Sequence, residues 1–595
     1  MDLILNSISL PIIAGVVCLF IPGRFKGIFE AVGIVITFIT FIITVLLFGI
    51  PYSSGFFLQD NLSRFIVLGI GLFGFLIALY SIGYMKGRPK LKEYYSYFLI
   101  TIGASIGAVL SNHIILLLVF WGILGLTLYL LVGLGGPEAS GTAKKTFIMI
   151  GGSDVLMILG LSIVWFLGRS FIMSDILITI KGGMSTVAFI CLAIAAFTKA
   201  GVMPFHTWVP DCAEKAPIPV VALLPASLDK LVGIYLLGRI SMDMFIMNKA
   251  MGQVLMISGG FTIIAAVMMA MVQHDFRRLL GYHAVSQVGY MVLGIGTGSA
   301  IGIAGGLFHM LNNVIYKSCL FLGCGAVRQK TGTTDMDKLG GLSAFMPVTF
   351  VTFLIAALSI SGVPPLNGFV SKWMIYQGIV ELGKNGDSLW ILWLVIAMFG
   401  SALTLASFVK LIHAVFMGRR EDKTAVKEVT PAMWVPMVVL ASLCVVFGVL
   451  AFIVPLNNYI FPAVPGVLFT GMLSPSLVTM MLLLGVGLGL VIYLISNLKS
   501  IRQDSQSYIG GEILTAENRV TGKDFYLTIK DFKILKILYN AAEKKLFDIY
   551  ELFKHFIFFT IGILSYLHSG LLPSYVSWVV AGLMILLVVL MKEFN

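Results

Sequence analysis

Long apolar stretches, each about the length needed to cross a bilayer, recur along the chain and are separated by short polar loops. Runs of about 18 or more apolar residues read as transmembrane helices, and about sixteen are present. They lie near 4–21, 28–50, 62–85, 93–111, 113–134, 146–167, 187–203, 217–240, 252–272, 279–298, 301–327, 347–378, 389–416, 433–455, 474–496 and 572–591. Backbone groups in lipid need partners within their own segment, so the spans are expected to be helices. Alternating strand patterns of about ten residues, the mark of a barrel, are missing. The expected fold class is an all-α polytopic membrane protein.

Two stretches break the pattern. Gly201-Val202-Met203-Pro204 closes the seventh span, two residues after Lys199. Gly362-Val363-Pro364-Pro365 interrupts the twelfth, before Lys372. Paired Gly/Pro interruptions in two halves of a membrane chain point to a transport site. The region 497–571 differs again. Residues 500–527 are polar. From about 528, Leu535, Leu538, Ala542, Leu546, Ile549 and Phe553 recur at helical steps opposite Lys533, Lys536, Glu543, Lys544, Asp548 and Glu551. One amphipathic helix over 528–568 would be about 60 Å long and would lie along the membrane surface.

Composition agrees with the pattern. The chain has 595 residues, 58% hydrophobic and 11% charged, with a net charge of +12. Soluble globular domains are not built this way. Basic residues cluster in alternate loops. They are Arg24 and Lys26, then Lys86, Arg88, Lys90 and Lys92, then Lys144 and Lys145, then Arg277 and Arg278, then Arg328, Lys330 and Lys338, then Arg419, Arg420, Lys423 and Lys427. The loop 456–473 has none. By the positive-inside rule these loops face the cytoplasm and the N-terminus faces outward. The charge therefore reads as topology, not as a nucleic-acid surface. Six cysteines form no CxxC pair and outline no zinc, iron–sulfur or disulfide framework. No cofactor is expected in this chain. Residues 3–21 follow Asp2 rather than a basic region, so they read as a retained first helix and not a signal peptide.

Ionisable residues inside the spans carry the candidate chemistry. A charge at the bilayer centre costs about 2.5–3.5 kcal/mol, so it marks function by default. Lys199, Lys230, Lys317 and Lys372 are the candidate functional lysines, and His309, Asp154 and Asp229 are further ionisable residues inside spans. Lys199 could also snorkel to an interface. Asp229 and Lys230 are adjacent, hence about 100° apart on a helix, and need not pair with each other. His309 and Lys317 are eight residues apart and share roughly one face, with Asn312, Asn313 and Tyr316 nearby. Lys410 lies near a helix end and reads as a snorkelling residue.

Several long motifs resemble one family. They are Phe197-Thr-Lys199-Ala-Gly-Val-Met-Pro204-Phe-His206-Thr-Trp208-Val-Pro210-Asp211, Ala216-Pro217-Ile-Pro219-Val-Val-Ala222, Asp275 through Tyr290, His309 through Lys317, and Gly362 through Lys372. Over about 60–420 the chain resembles the antiporter-like subunits of complex I, Mrp-type cation/proton antiporters and energy-converting hydrogenases. Residues 144–154 and 226–237 look most like the large membrane subunit of Ech-type or formate-hydrogenlyase-type nickel–iron hydrogenases.

The resemblance implies N-terminal helices over 1–92, inverted five-helix repeats over 93–240 and 250–416, further spans over 433–496, a cytoplasmic segment with a lateral helix over 497–571, and a final span over 572–591. It implies a prokaryotic inner-membrane subunit that translocates ions, protons being the expected cargo, along a path of Lys199, Lys230, Lys317 and Lys372 with His309 assisting, and with other membrane subunits and soluble nickel–iron and iron–sulfur subunits as partners. An Mrp-type Na⁺/H⁺ antiporter subunit and a structural membrane subunit with impaired pumping are the alternatives. Three positions depart from the family pattern. Gly122 stands where a glutamate usually follows Trp121, Asn313 replaces a histidine, and the usual span-eight histidine is replaced around Pro225. Asp154 or Asp229 is the candidate substitute for the glutamate.

Overall fold

The computed structural model describes residues 1–417, 426–469, 475–495, 529, 532–568 and 570–593. It forms two compact units, Met1–Phe532 and Lys533–Asn595. The polar stretch 500–527 and the basic residues Arg419, Arg420 and Lys423 lie outside the described residues.

The first unit opens with helices α1 (Asp2–Phe20), α2 (Lys26–Leu47), α3 (Asn61–Tyr84), α4 (Leu91–Leu110), α5 (Ile114–Gly133) and α6 (Ser140–Gly168). Then come α7 (Met184–Ala200), the short α8 (Trp208–Lys215), α9 (Ile218–Leu223) and α10 (Asp229–Arg239). The second half follows as α11 (Lys249–Met271), α12 (Phe276–Gly296), α13 (Ala300–Thr331), α14 (Pro347–Ser361), α15 (Asn367–Lys384) and α16 (Trp390–Ile412). Helices α17 (Pro431–Val449) and α18 (Pro475–Ile495) close the unit. Strand structure among the described residues is two small ladders of two strands each, so the all-α expectation holds.

Each expected span is helical. By length and composition alone, twelve described helices could cross a membrane. Five expected spans, α4, α7, α12, α14 and α18, fall outside these twelve, whereas the helix Ile549–Leu567, not among the expected spans, is one of them. α7 and α14 stop short at their glycines. α4 begins with Lys92 and Glu93, and α12 carries His283 and Gln287 besides its first-turn arginines, which lowers their apolar content.

Both glycines end their helices in the left-handed conformation, Gly201 with φ +83° and Gly362 with φ +82°. Only glycine adopts this region without steric cost, and it is a common helix terminator. The Met203–Pro204 and Pro364–Pro365 bonds are cis. Between α9 and α10 the chain widens into a π turn, Leu224–Leu228, around Pro225. Proline cannot donate to the helical ladder and clashes with the preceding turn, so the helix opens there.

Burial sorts the helices into layers. The best apolar windows of Ile218–Met244 and Ala300–Thr331 are fully buried, whereas those of α1, α2, α6 and α16 are less than two-fifths buried. The outer helices turn apolar faces outward, as lipid-facing helices do. The inner ones, α10 and α13, carry the polar residues.

The second unit corrects one expectation. Instead of one helix over 528–568 it holds α19 (Lys533–Glu543) and α20 (Ile549–Leu567), followed by α21 (Leu572–Glu593). Lys545 takes a positive φ of 58° in the turn between α19 and α20. Asp548 then caps α20 by accepting from the Tyr550 amide at 3.1 Å. The pieces are about 16 and 28 Å long. The apolar period runs across the turn without a change of phase strong enough to reveal it. Its sequence mark is Asp548 three residues before Glu551, a helix-start pattern. α20 is also apolar enough to cross a membrane.

Candidate functional site

The first break assembles a buried charge cluster. Lys199 sits one residue before the end of α7, and Asp229 opens α10 directly after the π turn. Lys199 Nζ lies 3.5 Å from Asp229 Oδ1, and both side chains are 1% exposed. Lys230 points elsewhere and donates to the Ala200 carbonyl. That carbonyl belongs to the last residue of α7, at the negative end of its dipole. Lys199 is thus buried and paired, not snorkelled.

A second carboxylate flanks the pair. Trp121 Nε1 donates to Asp154 Oδ1 at 2.9 Å, and Lys199 Nζ stands 5.6 Å from the Trp121 ring centre. Gly122 does not belong to this cluster. It is exposed, and a Cβ added there would meet nothing within 4 Å. Two carboxylates thus stand around Lys199, Asp229 in contact and Asp154 behind the indole.

The second break repeats the device with one lysine. Lys372 on α15 donates to the Ile360 carbonyl at 2.8 Å, near the end of α14. Its Nζ lies 4.8 Å from the Tyr290 ring centre. Each interrupted helix therefore ends with a carbonyl that receives a lysine amine from another helix. Gly362 leaves room for this, since a Cβ there would lie 3.1 Å from Lys372 Cδ. Gly201 is similar: a Cβ there would lie 3.1 Å from Lys230 Nζ.

α13 joins the two groups. Lys317 Nζ donates to the Leu280 carbonyl at 3.0 Å and lies 5.8 Å from the Phe408 ring centre. It is close enough to interact electrostatically with Lys230. His309 Nδ1 contacts Ser371 Oγ at 2.9 Å, beside Lys372 in sequence, and its Nε2 contacts Gln287 Oε1 at 3.2 Å. Tyr316 Oη is 3.3 Å from the same Nε2. Asn312 Nδ2 donates to the Asn367 carbonyl at 2.9 Å. All seven candidates lie along this polar seam. Lys199, Asp229 and Lys230 gather at the first break, with Asp154 beside them; His309 and Lys372 gather at the second, and Lys317 stands between. Such an arrangement can hold protons on lysines while main-chain carbonyls and carboxylates compete for the ammonium groups.

Two residues revise the sequence expectations. Lys410 does not snorkel. It is 1% exposed and donates to the Met271 carbonyl at 2.9 Å and the Gln273 carbonyl at 3.3 Å, at the end of α11. Unpaired terminal carbonyls draw the amine inward. His283 is a site residue that residue-by-residue reading passed over. It is fully buried on α12, with Nε2 2.7 Å from Ser407 Oγ. Its signal was present, a histidine at membrane depth inside the Asp275–Tyr290 motif.

A second ionic network lies around α8. Lys145 pairs with Asp211 at 2.7 Å, and Arg278 with Glu214 at 2.7 Å. Lys215 is 3.1 Å from Glu214. Burial by itself would raise the Glu214 carboxyl, but the Arg278 hydrogen bond and charge, with Lys215, outweigh it and hold it below the usual range.

Comparison with known proteins fits this geometry. Residues 111–404 match the family described as NADH:quinone oxidoreductase/Mrp antiporter, TM, and residues 53–95 match NADH-Ubiquinone oxidoreductase (complex I), chain 5 N-terminus. The Na⁺/H⁺ antiporter subunit A1 of Staphylococcus haemolyticus is 30% identical over 415 residues, 65% of this chain and 51% of that protein. Its counterpart in Staphylococcus saprophyticus is 32% identical over 414 residues, 63% of this chain and 49% of that protein. The chain thus spans about half the length of the curated relatives it matches.

Among solved structures, a chain of the archaeal membrane-bound sulfane sulfur reductase superposes with a TM-score of 0.81 at 24% identity, over 99% of this chain and 100% of that one. A chain of the Mrp complex from a Dietzia species gives 0.70 at 19% identity, over 78% and 97%. A chain of respiratory complex I from Thermus thermophilus gives 0.64 at 23%, over 75% and 98%. These structural likenesses concern the fold. Motifs, sequence matches and fold agree, and the chain belongs to the antiporter-like membrane subunit family of complex I and Mrp antiporters.

Proposed function

We propose that this chain translocates protons as the antiporter-like subunit of a membrane-bound, redox-driven complex of the energy-converting hydrogenase or NADH dehydrogenase type. The observation that carries the reading is the Lys199–Asp229 pair, buried at a helix break and continued by Lys230, Lys317 and Lys372. Moving one charge through 100 mV takes about 2.3 kcal/mol, and a lysine whose partner can be drawn away can be switched by that amount. When Asp229 holds Lys199, the amine keeps its proton. When the pair opens, the proton is free to move toward Lys230 and the second half. Asp154, held by Trp121, offers Lys199 an alternative anion. In this reading the basic loops face the cytoplasm, the N-terminus faces outward, and electron transfer takes place in soluble nickel–iron and iron–sulfur subunits.

The redox-driven reading is supported by the extent of the fold match. The chain of the sulfane sulfur reductase, an archaeal respiratory membrane complex, aligns over nearly the whole length, whereas the Mrp chain aligns over 78%. The second reading, a Na⁺/H⁺ antiporter subunit, is favoured by the names of the sequence relatives. Purification of the native complex followed by reconstitution into liposomes separates them. The first reading expects co-purifying iron–sulfur and nickel–iron subunits and acidification of the lumen on addition of reductant. Exchange driven by a Na⁺ gradient alone, with no redox subunits attached, would overturn it in favour of the second.

A further inference from the structure

One face of α12 touches the second half of the seam at regular intervals. The Leu280 carbonyl accepts from Lys317 at 3.0 Å. Gln287 Oε1 contacts His309 Nε2 at 3.2 Å. The Tyr290 ring lies under the Lys372 amine, 4.8 Å away. With His283, these positions run 280, 283, 287 and 290, the three- and four-residue steps that place side chains on one helix face. The Lys317 and Lys372 contact points are ten residues apart on α12, about 15 Å along its axis. Direct proton transfer needs heavy atoms within about 3 Å, so a titratable intermediate is required between them.

His283 occupies that interval. Its ring packs against Phe408 with centroids 4.8 Å apart, and Lys317 Nζ lies 5.8 Å from the centre of the same ring. Both Lys317 and Lys372 interact electrostatically with His283. Its Nε2 is held by Ser407 Oγ at 2.7 Å, while Nδ1 has no hydrogen-bond partner among the described residues. A fully buried, unpartnered ring nitrogen is costly and calls for an occupant.

We propose that His283 is the relay that carries protons between Lys317 and the His309–Lys372 pair. The proton passes from Lys317 Nζ through one bridging water to the Nδ1 lone pair, while Nε2–H stays hydrogen-bonded to Ser407. The resulting imidazolium gives up the Nδ1 proton, again through water, towards His309 on α13, which contacts Gln287 one turn further along α12. Net, one N–H bond is broken at Lys317 and one is made at His309. Neutral Lys317 then awaits a proton from the Lys230 side.

The inference rests on the proposed ion path, and the experiment separates the two. The intact complex is reconstituted with His283→Gln, His283→Asn, Lys317→Ala and Lys372→Ala variants. Proton transport per assembled complex is read from dye quenching, and assembly from the recovered subunits. Glutamine preserves much of the volume and can still bond Ser407, but it cannot carry a proton; asparagine, being smaller, is the variant to read if glutamine blocks assembly. The relay predicts a loss of about tenfold or more in transport with assembly retained. A purely structural role would lower assembly and transport together. Wild-type transport in both His283 variants, with transport lost in Lys317→Ala, overturns the relay alone. Wild-type transport in Lys317→Ala and Lys372→Ala as well overturns the ion path itself.

Discussion

Replacing Asp229 by asparagine removes one charge from the first break and little else. The Lys199–Asp229 separation is 3.5 Å, and both side chains are 1% exposed. Coulomb's law at an effective dielectric of about 20 gives about 4.7 kcal/mol for two unit charges at that distance. Breaking a buried pair by removing one partner typically costs about 3–5 kcal/mol, because the other charge is left without compensation. This is about twice the work of moving a charge through 100 mV. The pair is therefore strong enough to act as a switch and weak enough to be opened by the movement of a second charge. Asp229→Asn is expected to lower thermal stability of the detergent-solubilised complex and to reduce proton transport at least tenfold (about 1.4 kcal/mol or more of coupling). A Lys199→Gln/Asp229→Asn double variant does not leave the Lys199 charge without its partner. It should regain most of the stability while remaining defective in transport. Thermal unfolding and dye quenching in liposomes read the two quantities separately. If Asp229→Asn unfolds at the wild-type temperature and pumps at the wild-type rate, the switch reasoning is wrong.

The glycines at the breaks are testable in the same preparation. Gly201→Ala and Gly362→Ala each force a side chain into the left-handed region, which costs about 1–2 kcal/mol, and press a Cβ against Lys230 or Lys372. Both are expected to melt lower and transport more slowly; a wild-type melting temperature in either contradicts the assigned role of the break. Asp154→Asn keeps an oxygen for the Trp121 indole, so stability should change by no more than about 0.5 kcal/mol while transport falls; unchanged transport removes Asp154 from the path. Glu214→Gln tests the ionic network around α8. Because the folded-state carboxyl is held low, its stabilisation is present above the unfolded value, about 4.3, and is lost as pH falls through the folded value. The variant should be less stable by up to about 1 kcal/mol at pH 7, and the difference should shrink below about pH 4; a difference that is the same at both pH values refutes the assignment.

Much of this arrangement is legible in the sequence because its devices are local. A glycine followed by prolines inside an apolar run can hardly be anything but a helix break, and both breaks stand where they were expected. Buried lysines are equally plain, because apolar sequence surrounds them. Pairing is harder to read. Asp229 meets Lys199 thirty positions away only because the π turn at Leu224–Leu228 resets the phase of α10 by about one residue. His283 was hidden for a related reason. Its neighbours are lysines brought by α13 and α15, and only the packed stripe on α12 shows the connection. Lys410 misled because distance from a helix end predicts reach to water but says nothing of the α11 carbonyls that capture the amine. The interrupted helix near 544–548 shows the limit of periodicity, since a turn that preserves the apolar phase leaves the pattern almost intact.

Proton transport by a Lys317→Ala complex tests the central claim most directly, since Lys317 stands where the two halves of the seam meet. Alanine removes the amine without adding charge to the core, and Phe321 and Phe408 remain to pack beside it. The account predicts an assembled complex, with its redox or exchange partners in place, whose proton transport has fallen to the background of empty liposomes. Wild-type transport in that complex would contradict the account, and would leave the chain as a membrane scaffold whose buried lysines carry no current.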